Sequence, residues 1–212
     1  MNLQLVEEHT IALFPKKNNN GNVLDIGCRH FDFALAMNDL NYKVCCVEAD
    51  KEVGQSKFID RVKFIHAAVV PESENLQMKQ LYAFGNGTAN HLADVGGSKP
   101  KATRVQSIVG RSITNLSGLF EVDHWDIIKL DCEGSEYDVL LEWPGPIADQ
   151  ITVEFHEHTG ANTKGEQVYT KVFERLEKWY TCIQHEKSVR HCLSTPNYWD
   201  SLFVLNDLSK EM

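Results

Sequence analysis

Short apolar runs rich in β-branched residues alternate along this chain with stretches of helical spacing. Asn22 to Ile26 is such a run, and it ends on Gly27. Asp32 to Leu40 comes next, with Phe33, Ala36, Met37 and Leu40 on one helical stripe. Lys43 to Val47 predicts a second strand, closed by Glu48-Ala49-Asp50, and a short helix is expected from Lys51. Val62 to Ile65, Ile127 to Leu130 and Ile151 to Phe155 predict three more buried strands. Gln167 to Trp179 predicts a helix with Val168, Val172, Leu176 and Trp179 on its apolar face. Tyr180 to Gln184 and Ser201 to Leu205 are the last strand candidates. At the N-terminus, Leu3, Val6, Ile11, Leu13 and Phe14 suggest an amphipathic helix within a 1–20 extension. Between 71 and 125 the pattern weakens. Leu76 to Ala83 is expected to pair with Thr103 to Ile108, and the turn-rich "GNGTANHLADVGGSKP" between them reads as a loop over the site.

Fully apolar strands alternating with helices predict an α/β protein: a mostly parallel, Rossmann-like sheet covered by helices on both faces, in one domain over residues 1–212. Ligands of such sheets sit beyond the carboxyl ends of the strands. The residues just past each strand therefore become candidate chemistry: Gly27 to Asp32, Glu48, Ala67-Ala68, Asp131 to Glu136, and Glu154 to His158.

Composition narrows the ligand. The formal net charge of −9 opposes a general nucleic-acid binder and suits a cationic small molecule. No apolar stretch is long enough for a membrane helix. The first residues lack the basic start of a secretory signal, and the six cysteines form no CxxC pair, so reduced thiols and a cytoplasmic location are expected. Cys45-Cys46 sits in an apolar run and is expected to pack in the core.

The first strand-to-helix turn, "LDIGCRHFD", has one glycine where a dinucleotide-binding turn has three. That disfavours a pyrophosphate and tolerates S-adenosylmethionine, whose carboxylate can meet the helix N-terminus and Arg29. Glu48, at the end of the second strand, can accept hydrogen bonds from a ribose diol. Asp25 lies inside the first strand and needs partners, with the amides of the glycine turn as candidates.

In "LDCEGSEYDVL", Ser135 with Asp138 resembles a capping box. Glu136 precedes Val139, Leu140 and Trp143 at helical spacing, so it falls on the stripe that faces the sheet. Asp131 and Glu133 are left at the strand end as site residues. In "ITVEFHEHTG", Glu154, His156 and His158 alternate and share a face opposite Val153 and Phe155. His156 is the expected general base, with Asp131 and Glu133 as competitors. Glu133, Glu136, Glu154 and His158 are candidates for holding the acceptor. The same groups could coordinate a divalent cation through Asp131, Glu133, Glu154 or His156, but no metal is assigned.

The runs "VLDIGCRHFDFALA", "VCCVEAD", "IIKLDCEGSEYDVL" and "ITVEFHEH" together resemble the FkbM family of S-adenosylmethionine-dependent methyltransferases, from about residue 22 to about 205. The third run carries the specific part, K-[IL]-D-x-E-G-x-E-x-x-[VL]-L. "GCRHFD" departs from the G-x-G-x-G or G-x-N-x-G turn common in methyltransferases. The resemblance implies a seven-stranded sheet with the last strand antiparallel. It also implies methyl transfer to a hydroxyl, commonly of a sugar or polyketide; a hydroxyl of a small molecule or glycan, above all a sugar, is the expected acceptor, and Asp25, Gly27, Arg29, Glu48, Ala68 and Asp131 are expected around the cofactor.

Two other readings share the architecture. One is a cofactor-binding module that does not catalyse, which the retained strand-end acids and His156 oppose. The other is an NAD(P)-dependent reductase, which the single-glycine turn and the lack of a Tyr-x-x-x-Lys pair oppose.

Overall fold

In the computed structural model the described residues are 2–14, 21–52, 61–83, 91–94, 102–156, 166–187 and 198–210. The apolar runs are strands of a mixed sheet. They are β3 (Asn22–Ile26), β4 (Lys43–Glu48), β5 (Lys63–His66), β10 (Trp125–Leu130), β11 (Ala148–His156), β12 (Tyr180–Lys187) and β13 (Tyr198–Leu205). Their order is β12-β13-β11-β10-β3-β4-β5. The five strands from β11 to β5 are mutually parallel, and β13 runs antiparallel between β11 and β12. The expected seven strands with an antiparallel last strand are therefore present.

Alternate residues of these strands feed two cores. Leu24, Cys45, Val47, Ile128 and Val153 pack under α2 (Ile113–Phe120), α3 (Glu136–Leu141) and α4 (Glu166–Leu176). Val23, Val44, Cys46 and Ile127 pack under α1 (Asp32–Asp39) and the N-terminal segment. Both cysteines of the Cys45-Cys46 pair are buried, as expected. α2 starts where Ser112 Oγ accepts a hydrogen bond from the Asn115 amide. α4 stops at Leu176, three residues before the expected end, and the Arg175 guanidinium there donates to the Trp143 carbonyl at 2.6 Å. A short α5 (Asn206–Ser209) comes after β13. No described helix is long and apolar enough to cross a membrane. The helix expected from Lys51 lies almost wholly outside the described residues.

Two expectations are corrected. The N-terminal segment is a hairpin of β1 (Asn2–Val6) and β2 (His9–Leu13), not a helix. Val6 pairs with His9 across a two-residue turn, Glu7-Glu8, in which both φ angles are positive (43° and 87°). Such left-handed turns match the twist of a hairpin. The helical stripe was a coincidence of spacing: Leu3 and Leu5 face solvent, while His9 and Ile11 alternate inward. Gln150 of β11 holds this hairpin, accepting from the Ala12 amide at 2.7 Å and donating to the Ala12 carbonyl at 2.8 Å.

The segment 71–125 is more than a loop. β6 (Ala68–Val69), β7 (Met78–Ala83), β8 (His91–Asp94) and β9 (Arg104–Arg111) form a second sheet in the order β6-β9-β7-β8. The expected pairing is there, between Met78–Ala83 and Arg104–Val109, and it is antiparallel. The described part of the predicted loop, β8, pairs with β7. Arg104 ties this sheet to the main one through Asp50, at 2.5 Å, and Glu52.

Candidate active site

The strand ends converge as parallel topology demands. Gly27 after β3, Glu48 at the end of β4, and Asp131, Cys132 and Glu133 after β10 line one cavity with Arg29, Ala49 and Asp50. Its empty space is about 740 Å³ counting the open mouth. Leu81 of β7 and Leu92 of β8 close it from the second sheet. Ala67 and Val69 also line it, whereas Ala68 points into a separate cluster with Val70, Leu81 and Ile108. Of the candidate pair Ala67-Ala68, Ala67 lines the cavity and Ala68 does not.

Gly27 lets the β3 and β10 ends approach. Its φ is +75°, and a Cβ built there would lie 1.7 Å from the Asp131 carbonyl oxygen. Glu48 is fixed by the backbone of two strand ends: Oε1 accepts from the Asp50 amide after β4 at 2.8 Å and Oε2 from the Arg29 amide after β3 at 3.2 Å. Burial pushes its pKa up to about 7, against these two hydrogen bonds.

Asp25 takes a different partner from the one expected. The register places it directly opposite Lys129 of β10, and Lys129 Nζ lies 3.1 Å from Asp25 Oδ1 and 3.3 Å from Asp131 Oδ2. The same ammonium donates to the Gly27 carbonyl at 3.2 Å. Burial works against that charge, but Asp25 and Asp131 hold the lysine pKa above its ordinary value. Burial likewise opposes charge on Asp131, yet Lys129 and His156 bring its pKa below the usual carboxylate value. Lys129 escaped the sequence reading. The available signal was a lysine inside an otherwise apolar strand, which must meet a counter-charge.

Glu136 has no exposed surface, and its carboxylate organises the turn. Oε1 accepts from the Cys132 amide at 2.8 Å and Oε2 from the Gly134 amide at 2.9 Å. Oε1 also lies 2.9 Å from His156 Nδ1. The cap expected from Ser135 is not made, since Ser135 adopts a helical conformation and forms no side-chain cap. Glu136 instead ties down the turn before the helix, in which Glu133 (φ +53°) and Gly134 (φ +109°) are left-handed.

His156 faces four carboxylates. Besides Glu136 on Nδ1, its Nε2 lies 3.6 Å from Glu133 Oε2, 3.8 Å from Asp131 Oδ1 and 3.9 Å from Glu154 Oε1. Burial lowers its basicity, but Glu136, Asp131 and Glu133 outweigh it and raise the pKa to about 10. The Glu154 pKa is also pushed up, to about 8, by burial and by Asp131. A second histidine joins from β2: His9, 3% exposed, with Nε2 3.9 Å from Asp131 Oδ2. Burial and Lys129 lower its pKa to about 3, so it is neutral. The sequence reading missed His9 because it placed the segment in a helix. His158 lies outside the described residues.

Solved structures of low sequence identity share this fold. The fibrillarin pre-rRNA processing protein of Methanococcus jannaschii is 9% identical, over 88% of this chain and 67% of that one, with a TM-score of 0.51. A fibrillarin/Nop5p complex chain is 11% identical, over 92% and 77%, at 0.50. A TehB-like SAM-dependent methyltransferase from Corynebacterium glutamicum is 9% identical, over 88% and 80%, at 0.45. No protein-family model and no curated protein matches the chain. The fold is the Rossmann-like methyltransferase fold, with a mixed seven-stranded sheet.

Proposed function

We propose that the protein is an S-adenosylmethionine-dependent O-methyltransferase related to the FkbM group, acting on a hydroxyl of a small molecule or glycan, with a sugar as the leading acceptor. The observation that carries this reading is the shared rim: Glu48 and Asp131, on strands separated by β3, line one cavity with Gly27 between them. The Glu48 carboxylate at the cavity wall suits a ribose diol. Arg29 and the turn after Gly27 suit the cofactor's carboxylate, and the acidic rim suits its sulfonium. The fibrillarin structures are described by pre-rRNA processing and a Nop5p complex, but the net charge of −9 opposes a polynucleotide acceptor here.

Bound at this rim, the cofactor supplies an electrophilic methyl group with a neutral thioether as leaving group. The protein's part is to place an acceptor oxygen in line and to take its proton. Alignment can contribute about 7–11 kcal/mol of barrier reduction and a positioned base about 3–5 kcal/mol. Asp131 and Glu133 face both the cavity and His156 and are positioned to orient the acceptor. Glu136 orients His156 through Nδ1, which leaves Nε2 to take the acceptor proton in the neutral imidazole; with a pKa of about 10 that form is the minor one at pH 7, so turnover should rise as the pH rises toward that value. Glu136 therefore acts as a positioning residue and not as an acceptor contact.

The defining experiment combines titration with S-adenosylhomocysteine and incubation with labelled methyl donor and a panel of monosaccharides, glycans and lysate metabolites. Binding with label transfer to a hydroxyl is expected; binding of NAD with no response to S-adenosylhomocysteine would overturn the reading. His156→Ala is expected to lower kcat by about 10²-fold with little change in cofactor affinity, because the neighbouring carboxylates remain as weaker proton acceptors. An unchanged kcat would remove His156 from catalysis.

Glu48→Ala is expected to weaken S-adenosylhomocysteine binding by roughly 10–100-fold, the worth of a charge-assisted hydrogen bond. The ionised carboxylate is the form that accepts both diol hydrogens. With the pKa near 7, affinity should be full above that pH and decline as the pH falls through it. Calorimetry at pH 8 and pH 6 should show this decline in the wild type and a flat profile in Glu48→Gln.

A further inference from the structure

We propose that His9, Asp131 and Glu154 bind a divalent first-row transition ion, Mn²⁺ or Zn²⁺, beside His156. One donor atom from each of the three residues lies within 4.8 Å of the others. They arrive from β2, from the end of β10 and from β11, so the arrangement is built by tertiary structure and not by one acidic stretch.

The independent observation is His9. Its side chain is 3% exposed, Nδ1 has no hydrogen-bond partner, and Nε2 is directed at Asp131 Oδ2 from 3.9 Å, beyond hydrogen-bond reach. Burying an imidazole whose Nδ1 makes no hydrogen bond is costly unless something else uses a lone pair of the ring. Phe33 braces it edge-on at 5.6 Å, which holds it toward the carboxylates.

Charge argues the same way. Asp131, Glu133, Glu136 and Glu154 all lie within 4 Å of His156, and Lys129 is a further cation on Asp131. Four carboxyl groups share only two single positive charges. One imidazole and two carboxylates suit Mn²⁺ or Zn²⁺ better than Ca²⁺ or Mg²⁺, which favour all-oxygen shells. Bonds of about 2.0–2.2 Å would draw the donors inward by a few tenths of an ångström. Three protein ligands leave positions open for an incoming oxygen. Under the methyl-transfer reading, on which this role rests, that oxygen is the acceptor hydroxyl, held next to His156 and made more acidic by the ion. The acceptor would then be a molecule with adjacent oxygen donors, such as a vicinal diol.

The test uses the full chain, freed of metal by a chelator and titrated with MnCl₂ alone, read by calorimetry and by the electron paramagnetic resonance of free Mn²⁺. ZnCl₂ is the second probe. One equivalent bound at micromolar concentration is expected, with a loss of at least tenfold in affinity in both His9→Ala and Glu154→Gln. S-adenosylhomocysteine binding by each variant reports that it is folded. No uptake of either ion at millimolar concentration, or full uptake by both folded variants, overturns the site. Stoichiometric ion binding without S-adenosylhomocysteine binding would defeat the methyl-transfer reading and leave the metal site standing. The reverse result would defeat the metal site alone.

Discussion

Gly27→Ala is expected to cost about 4–5 kcal/mol or more of folding stability and to remove measurable cofactor binding. The added methyl would sit 1.7 Å from the Asp131 carbonyl oxygen and 2.8 Å from its carbon. Both are backbone atoms, so no rotamer change relieves the clash. The two chains cannot simply part either. β3 and β10 are in register through Ile26 and Leu130, and the Asp131 amide donates to the Ile26 carbonyl at 3.2 Å. Opening that seam breaks the ladder at the point where Lys129 holds both strand ends. The left-handed φ adds roughly 1–2 kcal/mol for any residue with a Cβ. For a chain of this length the melting temperature should fall by about 10–20 °C. A variant that melts within a few degrees of the wild type and still binds S-adenosylhomocysteine would show that the strand ends are not in this contact.

That contact explains why a turn with one glycine serves where dinucleotide folds use three. The glycine here is spent on the approach of two strand ends, not on the approach of a pyrophosphate. The consequence is chemical: Asp131 is brought beside the turn after β3, and the cavity is framed by Glu48 on one side and Asp131 with Glu133 on the other. The placement was legible in the sequence because buried parallel strands are short apolar runs, and the residues just after each run are forced to one edge of the sheet. The direction of Glu136 was legible for a similar reason, since helical spacing alone put it on the buried stripe.

The features that stayed hidden depend on pairing partners that a local pattern does not encode. Leu3, Val6 and Ile11 fit a helical stripe as well as a hairpin, and the deciding feature is a Glu-Glu turn in left-handed conformations, a poor turn signal by composition. His9 was lost with it. The role of Glu136 was also hidden, because a carboxylate aimed at a sheet can equally meet a ligand or cap its own turn. Ala67 and Ala68 differ only in which face of a strand end they occupy, and one residue of register decides that. The second sheet was half legible: the strands of 76–83 and 103–108 pair as their alternation suggests, while β8 is embedded in turn formers that mask it.

Lys129→Met is expected to destabilise the protein by about 3–5 kcal/mol, the cost of leaving buried carboxylates without their counter-ion. Asp25 has no exposed surface, and Lys129 Nζ is 3.1 Å from it. Methionine fills nearly the same volume and keeps the packing against Phe33, where the ammonium now sits 5.9 Å from the ring centroid. The loss is therefore electrostatic, and a second substitution can test that. Asp25→Asn removes the negative charge at nearly constant shape, so Lys129→Met combined with Asp25→Asn should be less destabilised than the sum of the two single variants, by at least about 1 kcal/mol. Strict additivity in urea unfolding would mean that the pair does not interact and that Lys129 serves Asp131 alone. The pair also bears on function. Lys129 touches both the strand before the glycine turn, through Asp25, and the acid at the end of β10, through Asp131. If it sets the position of Asp131 in the rim, the double variant should recover stability without recovering turnover, because Asp25→Asn restores charge balance inside the sheet and leaves Asp131 without its lysine.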